Sequence, residues 1–403
     1  MLHTLLKLIN KPLVIFLISI LVSSEVFAAK QYSETILGDP NFPVSAQPIS
    51  ATPSVVLMGG GYDVAEAFRW LIKQAGIRPG TGGRFVILRA TGTDAYNNYI
   101  FSRLGTIDTT TPELFENVGG QDLGLSSVST IIVPNLTAAN DPTLADKVNA
   151  ANVIWIAGGD QADYVNYWQG TLLAGAIQAA IRKNIPIGGT SAGNAVLGQY
   201  AFAALNGTVT SSQALSDPFN KYMTIDPINT QTKKNPATGL NGFVQIDALN
   251  NLITDDHFDT RNRMGRLMAF MSRISTYCSG GVVSPPSNAH AIGVDEGTAL
   301  LIQGNTAQLV SNPAYTGTIN SNSVYFLSFN SDNTSCSSGN PLMGDFTIQR
   351  ITANQSAGLT TGVDGSPTST ASYPKYSYYN FYYFDLDKKW KGSDTYTNHV
   401  SVQ

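Results

Sequence analysis

Short apolar runs alternate with amphipathic stretches along the chain from residue 53 onward. The runs read SVVLM, RFVIL, STIIV, NVIWI and IPIGG, and glycines follow or end several of them. Between them lie stretches with apolar residues at helical spacing, such as VAEAFRWLIKQ and LLAGAIQAAIRK. Buried strands that alternate with helices are typical of a parallel sheet covered by helices on both faces. The pattern therefore predicts an α/β core with a doubly wound, mostly parallel sheet over residues 53–275.

The pattern changes after residue 275. Helical spacing becomes rare, and strand-like runs such as AIGVDEGTALLIQ, SVYFLSFN and FTIQRI lie between segments rich in Gly, Ser and Asn. We expect residues 276–403 to form a β-rich C-terminal extension that packs on the core. Its tyrosine-rich end, YPKYSYYNFYYFDLDKKW, fits either aromatic packing at a domain edge or a surface that binds a sugar or polymer.

The N-terminus has the pattern of a targeting segment. MLHTLLKLINK carries lysines, PLVIFLISILV is apolar, and SSEVFAAK offers small residues for cleavage. This order is typical of a secretory signal peptide, and the apolar run is short for a membrane-spanning helix. We expect a signal peptide over residues 1–28 and a polar surface arm over residues 29–52; an uncleaved membrane anchor is the alternative. The mature protein would then be secreted or periplasmic, with no membrane attachment.

Composition restricts the partners and cofactors. The net charge is -4 and 13% of the residues are charged, so no overall positive charge attracts nucleic acid. Cys278 and Cys336 lie in Gly/Ser-rich loops, and such a pair usually forms a disulfide in an oxidising compartment. No His or Cys cluster has the spacing of a metal site, so we expect neither a metal nor a cofactor. The sequence leaves the oligomeric state open, a homodimer included.

One glycine-rich corner carries a candidate nucleophile. In PIGGTSAGNAVLG, the residues around Ser191 fit G-x-S-x-G between an apolar strand and an apolar helix. A sharp strand-to-helix turn projects the serine hydroxyl at the sheet edge, and the N–H of Ala192 can hold an oxyanion. The alternative is that Ser191 is only a small residue that fits a tight turn.

A serine nucleophile needs a base, which is usually histidine. His3 lies in the expected signal peptide and His399 lies close to the C-terminus, which leaves His257 and His290. His257 is the better candidate because its segment, TDDHFDTRNRMGRL, concentrates charge in a chain with few charged residues. A solvated helix start is the alternative explanation of that charge.

Four motifs in order give the chain a family resemblance. GGTSAG, AGGDQ, TDDHFDTRNRMGRL and IGVDEGTALLI together resemble the cyanophycinase and aspartyl dipeptidase family of serine peptidases, over residues 53–305. The resemblance implies a flavodoxin-like sheet related to class I glutamine amidotransferases. It also implies Ser191 as nucleophile, His257 as base, and an oxyanion hole formed by the N–H groups of Ala192 and Gly159.

The third catalytic residue departs from the family pattern. Members similar to this chain tend to carry a glutamate in a T-S-x-E-A-L stretch, where this chain has TSSQAL with Gln213. An amide can orient an imidazole by a hydrogen bond, but it cannot stabilise the imidazolium by charge. The resemblance therefore implies Gln213 as the third member, with Asp217 as the alternative.

The resemblance also implies a substrate. Cyanophycin has an aspartate backbone with arginine linked to each side chain, so its enzyme needs acids and guanidinium groups that face the ligand. The side chains expected to bind arginine are Asp160, Gln161, Asp255 and Asp256. Those expected to bind carboxylates are Arg261 and Arg263. Internal ion pairs among these residues are the alternative.

We therefore predict an exported serine peptidase of the cyanophycinase type that hydrolyses cyanophycin or Asp-containing peptides through a Ser191 acyl-enzyme. An esterase of the α/β-hydrolase type is one alternative, and it would use a histidine near the C-terminus such as His399. A non-catalytic exported binding protein on the same fold is the other alternative, and Gln213 is the residue that favours it.

Overall fold

A computed structural model describes residues 31–104, 119–304, 306–312, 314–315, 322–329, 334–352, 356–359, 367–368, 375–381, 383–384 and 390–391. The signal peptide expected over residues 1–28, His399 and the side chains of the tyrosine-rich end lie outside the described part. Within that part, no helix combines the length and the apolar character that a membrane crossing requires.

The strands are short and most of them are buried. In chain order they are β1 (Ser33–Gly38), β2 (Ser54–Met58), β3 (Arg84–Arg89), β4 (Ser127–Ile132), β5 (Val153–Ile156), β6 (Ile187–Thr190), β7 (Ala201–Phe202), β8 (Ile225–Asp226), β9 (Leu252–Asp255), β10 (His290–Val294), β11 (Thr298–Gln303), β12 (Thr306–Ser311), β13 (Ser323–Phe329), β14 (Gly344–Thr352), β15 (Ser356–Leu359), β16 (Pro367–Thr368), β17 (Lys375–Phe381), β18 (Tyr383–Phe384) and β19 (Trp390–Lys391).

The helices lie mainly between the strands of the first half of the chain. They are α1 (Ala65–Gln74), α2 (Ala95–Ser102), α3 (Leu136–Ala139), α4 (Pro142–Asn149), α5 (Gln161–Asp163), α6 (Leu172–Arg182), α7 (Ala192–Ala195), α8 (Ser211–Ser216) and α9 (Met264–Ile274). A π-helical turn, Tyr164–Trp168, continues α5, and the segments Asp247–Leu249 and Pro286–Asn288 are 3-10 turns.

Five neighbouring parallel strands form the centre of the main sheet, in the order β4-β3-β5-β6-β2. Strands β2 and β5 are buried along their whole length, which agrees with the predominantly apolar sequence of each. One apolar cluster centres on Phe68 and Trp155, and another contains Trp168 and the buried face of α6. The predicted α/β class is confirmed.

The segments outside residues 53–275 contribute strands to the same sheet. Residues 33–38 of the expected surface arm form β1, which pairs antiparallel with β4. Strand β11, in the expected C-terminal extension, pairs antiparallel with β2, and β12 pairs with β11. An uncovered sheet edge leaves its backbone N–H and C=O groups without hydrogen bonds. Strands β1 and β11 supply these hydrogen bonds at the two borders of the parallel region.

A second sheet has the order β17-β14-β13-β10-β9. Its strands β9 and β10 are parallel, with Asp255 opposite Gly293. A disulfide joins Cys278, which follows α9, to Cys336, which precedes β14. Strand β9 ends two residues before His257, and β10 ends two residues before Glu296.

Candidate active site

Ser191 occupies a strained corner between β6 and α7. Its backbone has φ 51° and ψ -123°, a left-handed value of φ that is uncommon for residues other than glycine. A Cβ on Gly193 would lie 2.0 Å from the carbonyl oxygen of Ile156, and one on Gly189 would lie 2.5 Å from Gly193 itself. Only glycines fit at both positions, so the G-x-S-x-G spacing permits the sharp turn that exposes the serine hydroxyl.

His257 lies against this hydroxyl. Its Nε2 is 2.8 Å from Ser191 Oγ, and its backbone N–H donates to the carbonyl oxygen of Gly59 at 2.7 Å. His257 also has a positive φ, 44°, and is buried. Two strained residues in direct contact are a feature of functional sites, where the surrounding structure holds them in place.

Glu296 completes a chain of three side chains. It lies in the turn between β10 and β11, and its Oε1 is hydrogen-bonded to Nδ1 of His257. When Nδ1 carries the proton and donates it to the carboxylate, Nε2 is left as the acceptor for the Ser191 hydroxyl. Burial alone would raise the pKa of Glu296, but hydrogen bonds and charge from His257, together with Tyr315 and Arg261, lower it below its ordinary value.

The side chain hydrogen-bonded to Nδ1 of His257 is therefore that of Glu296, where the sequence led us to expect Gln213 or Asp217. The Gln213 side chain closes a capping box at the start of α8, where its Oε1 accepts the backbone N–H of Thr210 at 3.0 Å. Asp217 accepts the backbone N–H groups of Phe219 and Gly339. The sequence does contain a feature that could have identified Glu296: in VDEGTALLI, the acidic pair Asp295 and Glu296 directly follows an apolar strand.

Asp255, Asp256 and two arginines form a buried charge network. Asp255 accepts from Arg266 Nη2 at 2.6 Å and from Arg263 Nη1 at 3.1 Å. Asp256 accepts from Arg263 Nη1 at 2.9 Å, and its Oδ1 is 3.7 Å from Nε2 of His257. Burial alone would raise the pKa of Asp255, but Arg266 and Arg263 lower it below its ordinary value.

This network corrects three of the expected substrate contacts. Asp255, Asp256 and Arg263 were expected to bind ligand groups, but all three are buried and are paired with one another or with Arg266. Their charges form ion pairs with each other, because burying an unpaired charge would destabilise the folded protein. We infer that they hold the loop that carries His257 instead.

Glycine-rich corners surround the serine and the histidine. A Cβ on Gly60, which follows β2, would lie 2.5 Å from His257 Nε2 and 3.1 Å from the Cβ of Ser191. A Cβ on Gly158, which follows β5, would lie 3.4 Å from the Cβ of Ser191. Gly159 comes next and is exposed, and Ala192 is the first residue of α7. The ends of three adjacent strands, β5, β6 and β2, thus meet at the hydroxyl.

The other residues expected to contact the substrate are Asp160 and Gln161, which follow Gly159 in the chain, and Arg261, whose backbone N–H donates to the carbonyl oxygen of His257. Asp160 is exposed and caps α5 by accepting the N–H of Ala162, and Gln161 is half-buried beside it. Arg261 is exposed and lines a pocket of about 480 Å3 together with Asn262 and hydroxyl-bearing residues of the segment 208–212.

His290, the other candidate base, is buried within β10. Within the described residues, no group of three or more His, Cys, Asp or Glu side chains is arranged to hold a metal.

Sequence comparison agrees with the family resemblance. Residues 115–216, which include Ser191, match the model of peptidase family S51. The chain is 26% identical over 191 residues to a cyanophycinase of Geminocystis herdmanii, covering 47% of this chain and 55% of that protein. It is 24% identical over 184 residues to a cyanophycinase of Trichormus variabilis, covering 45% of this chain and 50% of that protein. The matched region spans about half the length of these relatives, and the resemblance to cyanophycinases and to peptidase family S51 is confirmed.

Among solved structures, the chain is similar to a peptidase from an acI-B1 actinobacterium. The two are 17% identical, the TM-score is 0.42, and the match covers 76% of this chain and 97% of the other.

Proposed function

We propose that this protein is a serine peptidase in which Ser191 is the nucleophile, His257 the general base and Glu296 the residue that orients His257. The 2.8 Å separation between Ser191 Oγ and His257 Nε2 is the observation that carries the proposal. A hydroxyl hydrogen-bonded to an imidazole, which is in turn hydrogen-bonded to a carboxylate, is an arrangement that catalyses acyl transfer. The esterase interpretation needed His399 as base, whereas His257 is the histidine in contact with Ser191.

In the proposed reaction, His257 Nε2 takes the hydroxyl proton as Ser191 Oγ attacks the scissile carbonyl carbon. The N–H groups of Ala192 and Gly159 stabilise the resulting oxyanion. Collapse of this intermediate breaks the C–N bond, and the imidazolium gives its proton to the leaving amine. Water, deprotonated by His257, then hydrolyses the acyl-enzyme and restores Ser191.

The proposed substrate is cyanophycin or a peptide that contains aspartate. The support is the similarity to cyanophycinases together with Asp160 and Gln161, which follow Gly159 in the chain, and Arg261, whose backbone N–H donates to the carbonyl oxygen of His257. A carboxylate and an amide can bind a guanidinium group, and an arginine can bind a free carboxylate of the substrate. This set is smaller than the one expected from the sequence, because Asp255, Asp256 and Arg263 are paired internally.

We further propose that the protein acts outside the cytoplasm and that its parallel sheet corresponds to the flavodoxin-like core of class I glutamine amidotransferases. Export rests on the signal-peptide pattern of residues 1–28 and on the disulfide between Cys278 and Cys336. The fold assignment rests on five parallel strands whose carboxyl ends carry the site. The predicted division of the chain at residues 275 and 276 stays a proposal.

The test is release of β-Asp-Arg dipeptide from insoluble cyanophycin by the purified mature protein and by Ser191→Ala. We expect release by the wild type and a loss of at least about 10³-fold in the variant, because the nucleophile is removed. No release by a folded wild-type protein would reject cyanophycin as the substrate.

A further inference from the structure

A tyrosine outside the proposed catalytic residues lies against the turn that carries Glu296. Tyr315 follows β12, and its ring covers Gly297, where an added Cβ would lie 2.5 Å from the ring. Gly297 has φ 63°, so both its conformation and the absence of a side chain allow the phenol to approach the turn. No motif in the sequence indicates this contact.

The hydroxyl of Tyr315 reaches the oxygen of Glu296 that His257 does not use. Tyr315 Oη donates to Glu296 Oε2 at 3.3 Å, while Oε1 is hydrogen-bonded to Nδ1 of His257. The Oγ1 of Thr260 is 3.4 Å from the same phenol oxygen. The two oxygens of one carboxylate therefore have separate partners, and a carboxylate held at both oxygens has less freedom to rotate.

Several backbone contacts fix the tyrosine. Its N–H donates to the carbonyl oxygen of Asn312 at 3.0 Å. Asn312 in turn donates its N–H to Gly297 O at 2.8 Å and its side-chain amide to Asp63 O at 2.8 Å. The ring of Tyr62 packs on that of Tyr315 with 5.1 Å between centroids. The phenol is thus held by the loop after β2 and by the turn before β11, which both border the proposed site.

We propose that Tyr315 is a positioning residue that holds the carboxylate of Glu296 in the orientation needed to orient His257. The inference rests on the proposed function of Ser191, His257 and Glu296. It extends that proposal because it adds a fourth side chain that acts through the carboxylate and does not touch the reacting atoms.

The electrostatics of the pair agree with this role. Burial raises the pKa of Tyr315, and the neighbouring charge of Glu296 raises it further, so the phenol stays protonated and able to donate at neutral pH. The same hydrogen bond is one of the interactions that lower the pKa of Glu296. Removing the hydroxyl should therefore raise the pKa of the carboxyl group as well as free it to rotate.

The experiment compares wild type with Tyr315→Phe, which keeps the ring and removes only the hydroxyl. The rate at which a fluorophosphonate labels Ser191 is measured from acid to neutral pH. We expect labelling of Tyr315→Phe to be about tenfold slower at pH 7, the size of one hydrogen bond to a charged group. We also expect the pH dependence of the labelling rate to differ between Tyr315→Phe and wild type, because the hydroxyl that helps to lower the pKa of Glu296 has been removed.

Tyr96→Phe is the matched control. Tyr96 also donates its hydroxyl to a carboxylate, Asp63 Oδ1, at 2.9 Å, but it does not touch Glu296. Its labelling rate and pH profile should stay within about twofold of wild type. Equal rates and profiles for Tyr315→Phe and wild type would overturn the proposal. So would a pH-independent loss shared by both Phe variants.

A second measurement does not depend on activity. The Nδ1 proton of His257, donated to Glu296, should give a downfield proton NMR resonance, and acid should abolish it as Glu296 is protonated. We expect this transition at a higher pH in Tyr315→Phe. An unchanged transition would reject the role of Tyr315. Failure of the wild type to label at Ser191 would instead reject the proposed function, and the NMR comparison would still decide the positioning role.

Discussion

At the scale of single residues, the site depends on backbone conformations that are otherwise unfavourable. Ser191 and His257 both have positive φ, and each such residue costs about 1–3 kcal/mol. Gly60 lies against both of them, so its missing side chain makes room for the contact between Oγ and Nε2. The turn at Ser191 could be predicted from the sequence, because the flanking glycines of G-x-S-x-G are typical of a sharp turn. The positive φ of His257 could not be predicted, because no glycine stands next to His257.

The carboxylate of Glu296 is expected to stabilise the imidazolium form of His257 during the reaction. Glu296→Gln should lower the rate of Ser191 labelling by about 10³-fold, because the amide cannot stabilise the imidazolium by charge. Gln213→Ala is the comparison, since the sequence favoured Gln213. It should label at the wild-type rate within about twofold and lose up to about 1 kcal/mol of stability with the capping box of α8. The reverse order of the two rates would restore Gln213 as the third member.

At the scale of elements, β9 and α9 are joined by the ion pairs of Asp255. Arg266, in the first turn of α9, binds both oxygens of this carboxylate at the end of β9, and both residues are buried. The strand and helix therefore have a fixed separation just where the chain turns to present His257. The charge of this segment was evident in the sequence, but its use inside the fold was not, because the pairing depends on how α9 packs.

Arg266→Met should destabilise the protein by about 3–5 kcal/mol at pH 7, because one partner of a buried pair is removed. Its pH dependence has a definite sign. In wild type the folded pKa of Asp255 is lowered, so the contribution of the pair is present above the unfolded pKa and is lost as pH falls. In the variant that pKa rises, so the deficit should be largest at neutral pH and shrink towards pH 4.

Urea unfolding of wild type and variant at several pH values measures this deficit. Arg69→Met makes the same substitution in a pair with the half-exposed Glu66, and it also removes a hydrogen bond to the carbonyl oxygen of Leu104; it should cost no more than about 2 kcal/mol. Equal deficits for the two variants, or a deficit that grows as pH falls, would contradict the proposed role of the buried pair.

At the scale of the whole molecule, the site combines residues from two sheets. Ser191 follows a strand of the main sheet, His257 follows β9 of the second sheet, and Glu296 lies between β10 and β11, one from each sheet. Sequence periodicity predicted the parallel strands because each is an apolar run of its own. Periodicity could not predict the contact between Glu296 and His257, because that contact depends on the parallel pairing of β9 and β10.

The disulfide also acts at this scale. Cys278 and Cys336 are 58 residues apart in sequence and join the end of α9 to the segment before β14. Replacing both by Ala should lower the free energy of unfolding by about 2–4 kcal/mol through the loss of the cross-link. Ser191 labelling at low temperature should be unchanged, because neither cysteine contacts the three site residues. A loss of labelling in a folded variant would show that the cross-link shapes the site.

The central claim is that Ser191 is a nucleophile activated by His257. The most direct measurement is fluorophosphonate labelling of wild type, Ser191→Ala and His257→Ala, with the adduct mapped by peptide mass spectrometry. We predict one adduct on Ser191 in wild type, none in Ser191→Ala, and labelling slowed by about 10³-fold or more in His257→Ala. An adduct on another residue would contradict the role of Ser191 as nucleophile. Equal labelling of wild type and His257→Ala would contradict the role of His257 as base.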